Sequence, residues 1–184
     1  MVSESKILGK SSVIFVTVGT TPYPFTRLFK AIDQVISTIP EKPKLIVQTG
    51  ITEYKWEYRN IEKYKYLSPP EMIQIIKMAK KFITHGGFGT MFMIAKYGQY
   101  MPLVIARQKR FREHVDDHQK YFIEYFRKTL PKKLQNNFTS ERDLAIPLKT
   151  YLIKSSQNIN FGTMFNKKRV NLLEKKLKQY LSRP

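Results

Sequence analysis

Phe82-Ile83-Thr84-His85-Gly86-Gly87-Phe88-Gly89-Thr90 is an apolar β-type run that breaks into a glycine-rich turn and opens onto a helical pattern. Glycines let the backbone approach a ligand closely, and the N–H groups and positive dipole end of a helix N-terminus favour an anion. The stretch therefore reads as a strand, a seat for a phosphate, and a helix. A tight strand-to-helix turn needs glycines even without a ligand, so the reading rests on what surrounds the turn.

On either side, strand patterns alternate with helical ones. Val13 to Val18 is a continuous β-branched and aromatic run bounded by Gly19-Thr20-Thr21-Pro22, as expected of a strand buried on both faces. Phe25, Leu28, Phe29, Ile32, Val35, Ile36 and Ile39 follow at helical spacing before Pro40. Lys44 to Gln48 predicts a second strand, residues 51–63 an irregular connection, and Tyr64 to Leu67 a third strand. Ser68 before Pro69-Pro70-Glu71 predicts a helix N-cap. A fourth strand spans Lys81 to Thr84, a helix runs from the glycine turn to Gly98, a fifth strand covers Met101 to Ala106, and Glu113 to Lys128 predicts another helix. Residues 134–151 leave room for one short strand and a helix. This alternation implies a single Rossmann-like α/β domain, a parallel sheet with helices on both faces, over residues 1–160. Sites in such sheets lie at the C-terminal ends of strands, where Gly19-Thr20-Thr21, Thr49-Gly50, Ser68, His85-Gly86-Gly87 and Arg107 all fall. Residues 161–184 follow as a basic amphipathic helix, setting Val170, Leu173, Leu177 and Leu181 against many lysines. Such a helix packs on its own domain or docks on a partner or an anionic membrane surface.

At 184 residues, the chain suits one domain burying roughly 70% of its unfolded surface. It has no Cys, which excludes disulfides, thiolate metal sites and cysteine nucleophiles. His114 and His118 stand four apart in the expected helix and are possible metal ligands, but no third His accompanies them, so no metal is expected. No apolar run approaches the ~18 residues that span a bilayer, and the chain is expected to be soluble or peripheral. The formal charge of +19 favours an anionic partner surface, although lysines that merely solvate helices give the same count. Nucleic acid is a rival partner for a chain with pI ≈ 10.0. The aromatics mostly follow helix and strand periodicity, so the core explains them better, and no nucleic-acid-binding motif is present.

Arg107, Arg110 and Arg112 precede a polar cluster, Glu113-His114-Val115-Asp116-Asp117-His118-Gln119. Asp117 and Gln119 have the hydrogen-bonding capacity to hold sugar hydroxyls, and the arginines to approach phosphate oxygens. An acidic helix N-terminus that complements the dipole accounts for Glu113 and Asp116 without a ligand, but does not require His118-Gln119.

Together, Val16-Thr17-Val18-Gly19-Thr20, Thr84 to Thr90, and Arg107 with Glu113 to Gln119 resemble the C-terminal, donor-binding half of a family 28 glycosyltransferase of the GT-B fold. The resemblance covers residues 13–130 and is greatest to small split members of the family. These are the catalytic subunit of the two-component UDP-N-acetylglucosamine transferase acting on dolichol-diphosphate, and its bacterial exopolysaccharide counterparts. It implies that Gly86, Gly87, Gly89 and Thr90 cradle the diphosphate of a UDP-sugar, with Gly19 and Thr20 flanking it. Leu67 and Ser68 would meet the uracil, and Glu113, Asp117, His118 and Gln119 the donor sugar. His85 and His118 are the acid–base candidates, a structural hydrogen bond being the alternative at each. Met93 stands where the family often carries an acidic ribose ligand. The implied activity is transfer of N-acetylglucosamine or another hexose from a UDP-sugar, without cofactor or metal, to a lipid-diphosphate acceptor in N-glycosylation or polysaccharide synthesis. A membrane-anchored partner subunit would hold that acceptor, with this chain peripheral at the cytoplasmic face. A non-catalytic accessory subunit is the remaining alternative.

Overall fold

The computed structural model describes residues 12–155, 159 and 161–165, the side chains of 164 and 165 excepted. The strands are β1 (Val13–Thr17), β2 (Lys44–Gln48), β3 (Ile61–Tyr64), β4 (Lys81–His85), β5 (Leu103–Ile105) and β6 (Phe138–Thr139). The helices are α1 (Thr26–Ile36), α2 (Pro69–Met78), α3 (Phe88–Tyr97), α4 (His118–Lys128), α5 (Lys132–Gln135) and α6 (Ala145–Ile153). All six strands pair in parallel in the order β3-β2-β1-β4-β5-β6. The order reverses between β1 and β4, the place where the loops of an open parallel sheet diverge and leave a crevice.

Strand pleating sends alternate side chains of β1 into two cores. Val13 and Phe15 join Met72, Ile75, Met91, Ile94, Ile123 and Phe126 on the face covered by α2, α3 and α4. Ile14 and Val16 join Leu28, Phe29, Ile32, Leu148 and Leu152 on the face covered by α1 and α6. Both faces of β1 are therefore apolar, which is why it reads as a continuous hydrophobic run. α2 begins as its sequence predicts: Ser68 and Glu71 form a capping box, with prolines opening the helix.

Two elements differ from the sequence expectation. β3 spans Ile61–Tyr64 rather than Tyr64–Leu67. It is an edge strand held by β2 alone, so its polar Glu62 and Lys63 are tolerated and its pattern is faint. α4 starts at His118 rather than Glu113, because side-chain contacts described below fold residues 113–117 into a loop. Beyond residue 165 the expected C-terminal amphipathic helix, with Val170, Leu173, Leu177 and Leu181, lies outside the described residues. The first five residues expected of it, Phe161–Phe165, form a short 3-10 helix, with Phe161 fully buried against Phe126 and Phe138. Among the described residues no helix is long and apolar enough to cross a membrane.

Candidate functional site

The glycine turn joins β4 to α3 beside the β1–β4 crevice. Gly19, at the end of β1, has φ +73, a left-handed conformation that favours glycine, and a β-carbon there would lie 2.7 Å from Cε1 and Nε2 of His85. A β-carbon on Gly87 would lie 2.1 Å from the same Nε2. The His85 ring is thus wedged between two glycine backbones. Gly86 backs onto the first turns of α4, where a β-carbon would meet Ile123 and the Gln119 side chain. Gly89, in contrast, faces open space.

α3 begins at Gly87 with no side-chain cap and no acidic residue in its first turn, unlike α2. Its positive end is left for something else to compensate. Exposed Gly89 and half-buried Thr90 lie in that first turn, and Phe88 (43% exposed) and Phe92 (47%) stack on the outer surface of the same helix.

His85 is buried, and that burial, reinforced by the nearby Arg107 guanidinium, holds its imidazole down to about 3. It is neutral at ordinary pH and walls the turn from within. Arg107 does not reach toward the turn as its place in the sequence led us to expect. It is 1% exposed and points inward. Nη1 donates to the carbonyls of Tyr23 and Glu113 at 2.8 and 3.1 Å, and Nη2 to that of Val18 at 2.6 Å, with the Phe25 ring 4.6 Å from its guanidinium carbon. Burial pulls the guanidinium down to about 10, Glu113 opposing, so it stays charged at neutral pH. Arg107 is a brace that ties the loop after β1 to the loop after β5.

Glu113 is equally inward, 2% exposed. Arg27 donates to it through Nε at 2.8 Å and Nη2 at 3.0 Å, and the Gln108 N–H adds a third bond at 3.1 Å. Both carboxylate oxygens are therefore engaged away from solvent. Gln119 is also buried, its Oε1 accepting from the Arg107 N–H at 3.4 Å. Asp117 accepts the Lys109 N–H at 2.9 Å, and Asp116 accepts the His118 N–H at 3.1 Å. These bonds, with Arg112 at φ +57, hold residues 113–117 out of the helix. Nδ1 of both His114 and His118 turns to the same Asp116 Oδ1, and the Tyr23 ring stacks on His114. Burial and the adjacent His118 push the His114 imidazole down.

The structure thus brings Gly19, His85, Gly86, Gly87 and Gln119 into one contiguous group, with Thr20 exposed at its margin and Asp117 and His118 at the start of α4. Leu67 and Ser68 lie after β3, three strand spacings, about 14 Å, from β4. Ser68 spends its polar groups on the α2 cap, and Leu67 and Met93 pack against the same core face. Sequence reasoning missed Arg27. The signal was present: a cation in the first turn of a helix opposes the dipole and calls for a distant anion. It also missed Asp116 as the hub of the histidine loop.

A profile of the glycosyltransferase family 28 C-terminal domain matches residues 13–176. Among solved structures, the chain is similar to the glycotransferase of kitacinnamycin at 16% identity and TM-score 0.44, covering 91% of this chain and 44% of that one. It is also similar to MurG of Acinetobacter baumannii at 11% identity and TM-score 0.44, covering 91% of this chain and 51% of that one. The chain therefore spans about half the length of these solved structures. No curated protein matches it in sequence. The match over most of its length identifies the family: the chain belongs to the glycosyltransferase family 28 C-terminal domains.

Proposed function

We propose that this chain is the donor-binding subunit of a two-component glycosyltransferase, taking a UDP-sugar and transferring its hexose, N-acetylglucosamine or a relative, to a lipid-diphosphate acceptor. The observation that carries the reading is the uncapped start of α3 at the reversal of strand order, where Gly89 faces open space. Gly86, Gly87, Gly89 and Thr90 would hold the diphosphate, with Gly19 and Thr20 beside it. Asp117, His118 and Gln119 would face the sugar, and the loop at Leu67 and Ser68 the uracil. Glu113 supports that sugar loop from below through Arg27.

In the transfer, an acceptor hydroxyl oxygen attacks the anomeric carbon. The bond from that carbon to the diphosphate oxygen breaks, and the diphosphate leaves with the electron pair. Donors fixed at a helix terminus stabilise that departing charge. The hydroxyl proton goes to a base, for which His118 is better suited than His85. Its ring is partly exposed and Asp116 orients it, whereas His85 is buried, weakly basic and wedged in place. His85 is a positioning residue in this scheme.

The acceptor half belongs to a membrane-anchored partner, and the chain works as a peripheral subunit at the cytoplasmic face. Exposed Phe88 and Phe92 beside the donor turn, and a net charge of +19, suit a surface covered by that partner and by anionic lipid. The test is calorimetric titration with UDP, followed by transfer assays with the co-expressed membrane subunit. UDP binding that disappears in Gly89→Leu, together with loss of transfer, is expected; unchanged transfer in Gly89→Leu sinks the reading. Met93, packed against the core where an acidic ribose ligand is common, favours a second reading, a non-catalytic accessory subunit. Absence of UDP binding with the partner's activity intact selects it.

A further inference from the structure

The loop before α4 carries a further ligand set, two of whose members, His118 and Asp116, also serve the donor reading as base and orienting group. His114, Asp116 and His118 bring two ring nitrogens and one carboxylate oxygen within 4.8 Å of one another. We propose that these three side chains form a binding site for a first-row divalent transition ion of the zinc type. This goes beyond the donor reading and departs from the sequence expectation of no metal.

The geometry differs from the one the sequence implied. Four-residue spacing on a helix would have offered two histidines and nothing between them. Because residues 113–117 form a loop, the H-x-D-x-H spacing closes on Asp116 instead. Nδ1 of His114 lies 3.3 Å from Asp116 Oδ1, and His118 Nδ1 approaches the same oxygen more closely. Two ligands held about 2.0–2.1 Å from a tetrahedral ion stand roughly 3.3–3.4 Å apart, so the His114–Asp116 spacing already fits. To admit the ion, the His118 ring turns aside and His114 Nδ1 gives up the Asp116 N–H that it accepts at 3.4 Å.

The loop is anchored at both ends, so little ordering remains to be done on binding. Arg107 holds the Glu113 carbonyl, Lys109 N–H holds Asp117, and Tyr23 stacks on His114 at 5.8 Å. The site is also accessible: the Asp116 and His118 side chains are 41% and 30% exposed, leaving room for water as a further ligand. Imidazole with one carboxylate suits zinc and its neighbours rather than magnesium, which prefers oxygen ligands. Nearby Arg107 and the basic chain oppose the ion, which argues for micromolar rather than picomolar affinity. One consequence rests on the donor reading: an ion on His118 removes that ring from proton transfer, so zinc inhibits the enzyme.

The test uses the full chain without a polyhistidine tag, stripped with EDTA and titrated with Zn²⁺ alone. One ion per chain, micromolar affinity and a melting temperature that rises with Zn²⁺ but not Mg²⁺ are expected. Co²⁺ gives a visible absorption band that reports the low-coordinate nitrogen–oxygen site. His114→Asn and His118→Gln, each checked by circular dichroism for a native fold, weaken Zn²⁺ binding at least tenfold, and Asp116→Asn does the same. No saturable Zn²⁺ binding, or binding of equal strength in the folded histidine variants, overturns the proposal. Neither outcome depends on UDP, so failure here leaves the donor reading to its own test.

Discussion

A β-carbon on Gly87 would lie 2.1 Å from Nε2 of His85, so the imidazole and any larger residue at position 87 exclude each other. Gly87→Ala is therefore expected to destabilise the fold by about 1–3 kcal/mol through overpacking. His85→Ala in the same chain removes the obstructing ring. Urea unfolding of the two single variants and the double variant checks this. The double variant should be more stable than the sum of its parts by about 1 kcal/mol or more.

Gly89 faces open space in the first turn of α3, so alanine there meets no obstacle and gains helix propensity. Gly89→Ala is expected to leave stability unchanged or raise it by up to about 1 kcal/mol, while weakening UDP binding. Thermal unfolding and UDP calorimetry on the same preparation separate the two effects. Equal affinity in both proteins would remove the diphosphate from this turn.

Arg107 feeds three backbone carbonyls from inside the protein. Arg107→Met fills the space but leaves those acceptors without their charged donor, at a cost of about 3 kcal/mol or more. Lysine cannot reproduce the planar fork and recovers only part of that loss. Chemical denaturation of both variants gives the ranking.

Arg27 and Glu113 meet as a nearly buried pair. Arg27→Ala leaves the carboxylate without its cation and is expected to cost about 3–5 kcal/mol. Pairing it with Glu113→Gln removes the buried charge and returns much of that loss. Melting temperatures of the two singles and the double report the coupling.

The folded His85 imidazole titrates near 3, against 6.5 for an ordinary histidine. Between those values the unfolded chain binds the extra proton. This contribution to stability is complete above about pH 6.5 and is lost as pH falls, at up to about 1.4 kcal/mol per pH unit. The lowered His114 acts in the same direction. Urea midpoints between about pH 7 and about pH 5 should fall in the wild type and fall less in His85→Asn. An identical slope in the two proteins would mean that His85 is accessible to protons in the folded state.

The order of strands and helices was readable because burial leaves a period along the chain. β1 is buried on both faces and reads as a continuous β-branched and aromatic run, β2 and β4 keep short apolar centres between polar ends, and Ser68 with Glu71 announced the start of α2 through purely local bonds. The glycine turn was legible for the same reason: strand, turn and helix start are consecutive. β3 was displaced because an edge strand carries little hydrophobic signal. α4 began late because Asp116 and Asp117 cap nearby N–H groups, a local preference that competes with the helix.

The sequence by itself therefore determined the parallel α/β architecture, the place of the glycine turn and the motifs that resemble the family. Only the tertiary structure decided what the charged residues around that turn do. Arg107 binds the Val18 carbonyl, 89 residues away in the chain, and Arg27 binds Glu113, 86 residues away. No periodicity records such pairings, because they exist only once the sheet has brought the ends of β1 and β5 together. A buried charge takes whatever partners the fold supplies, and here these are carbonyls and one carboxylate beneath the site.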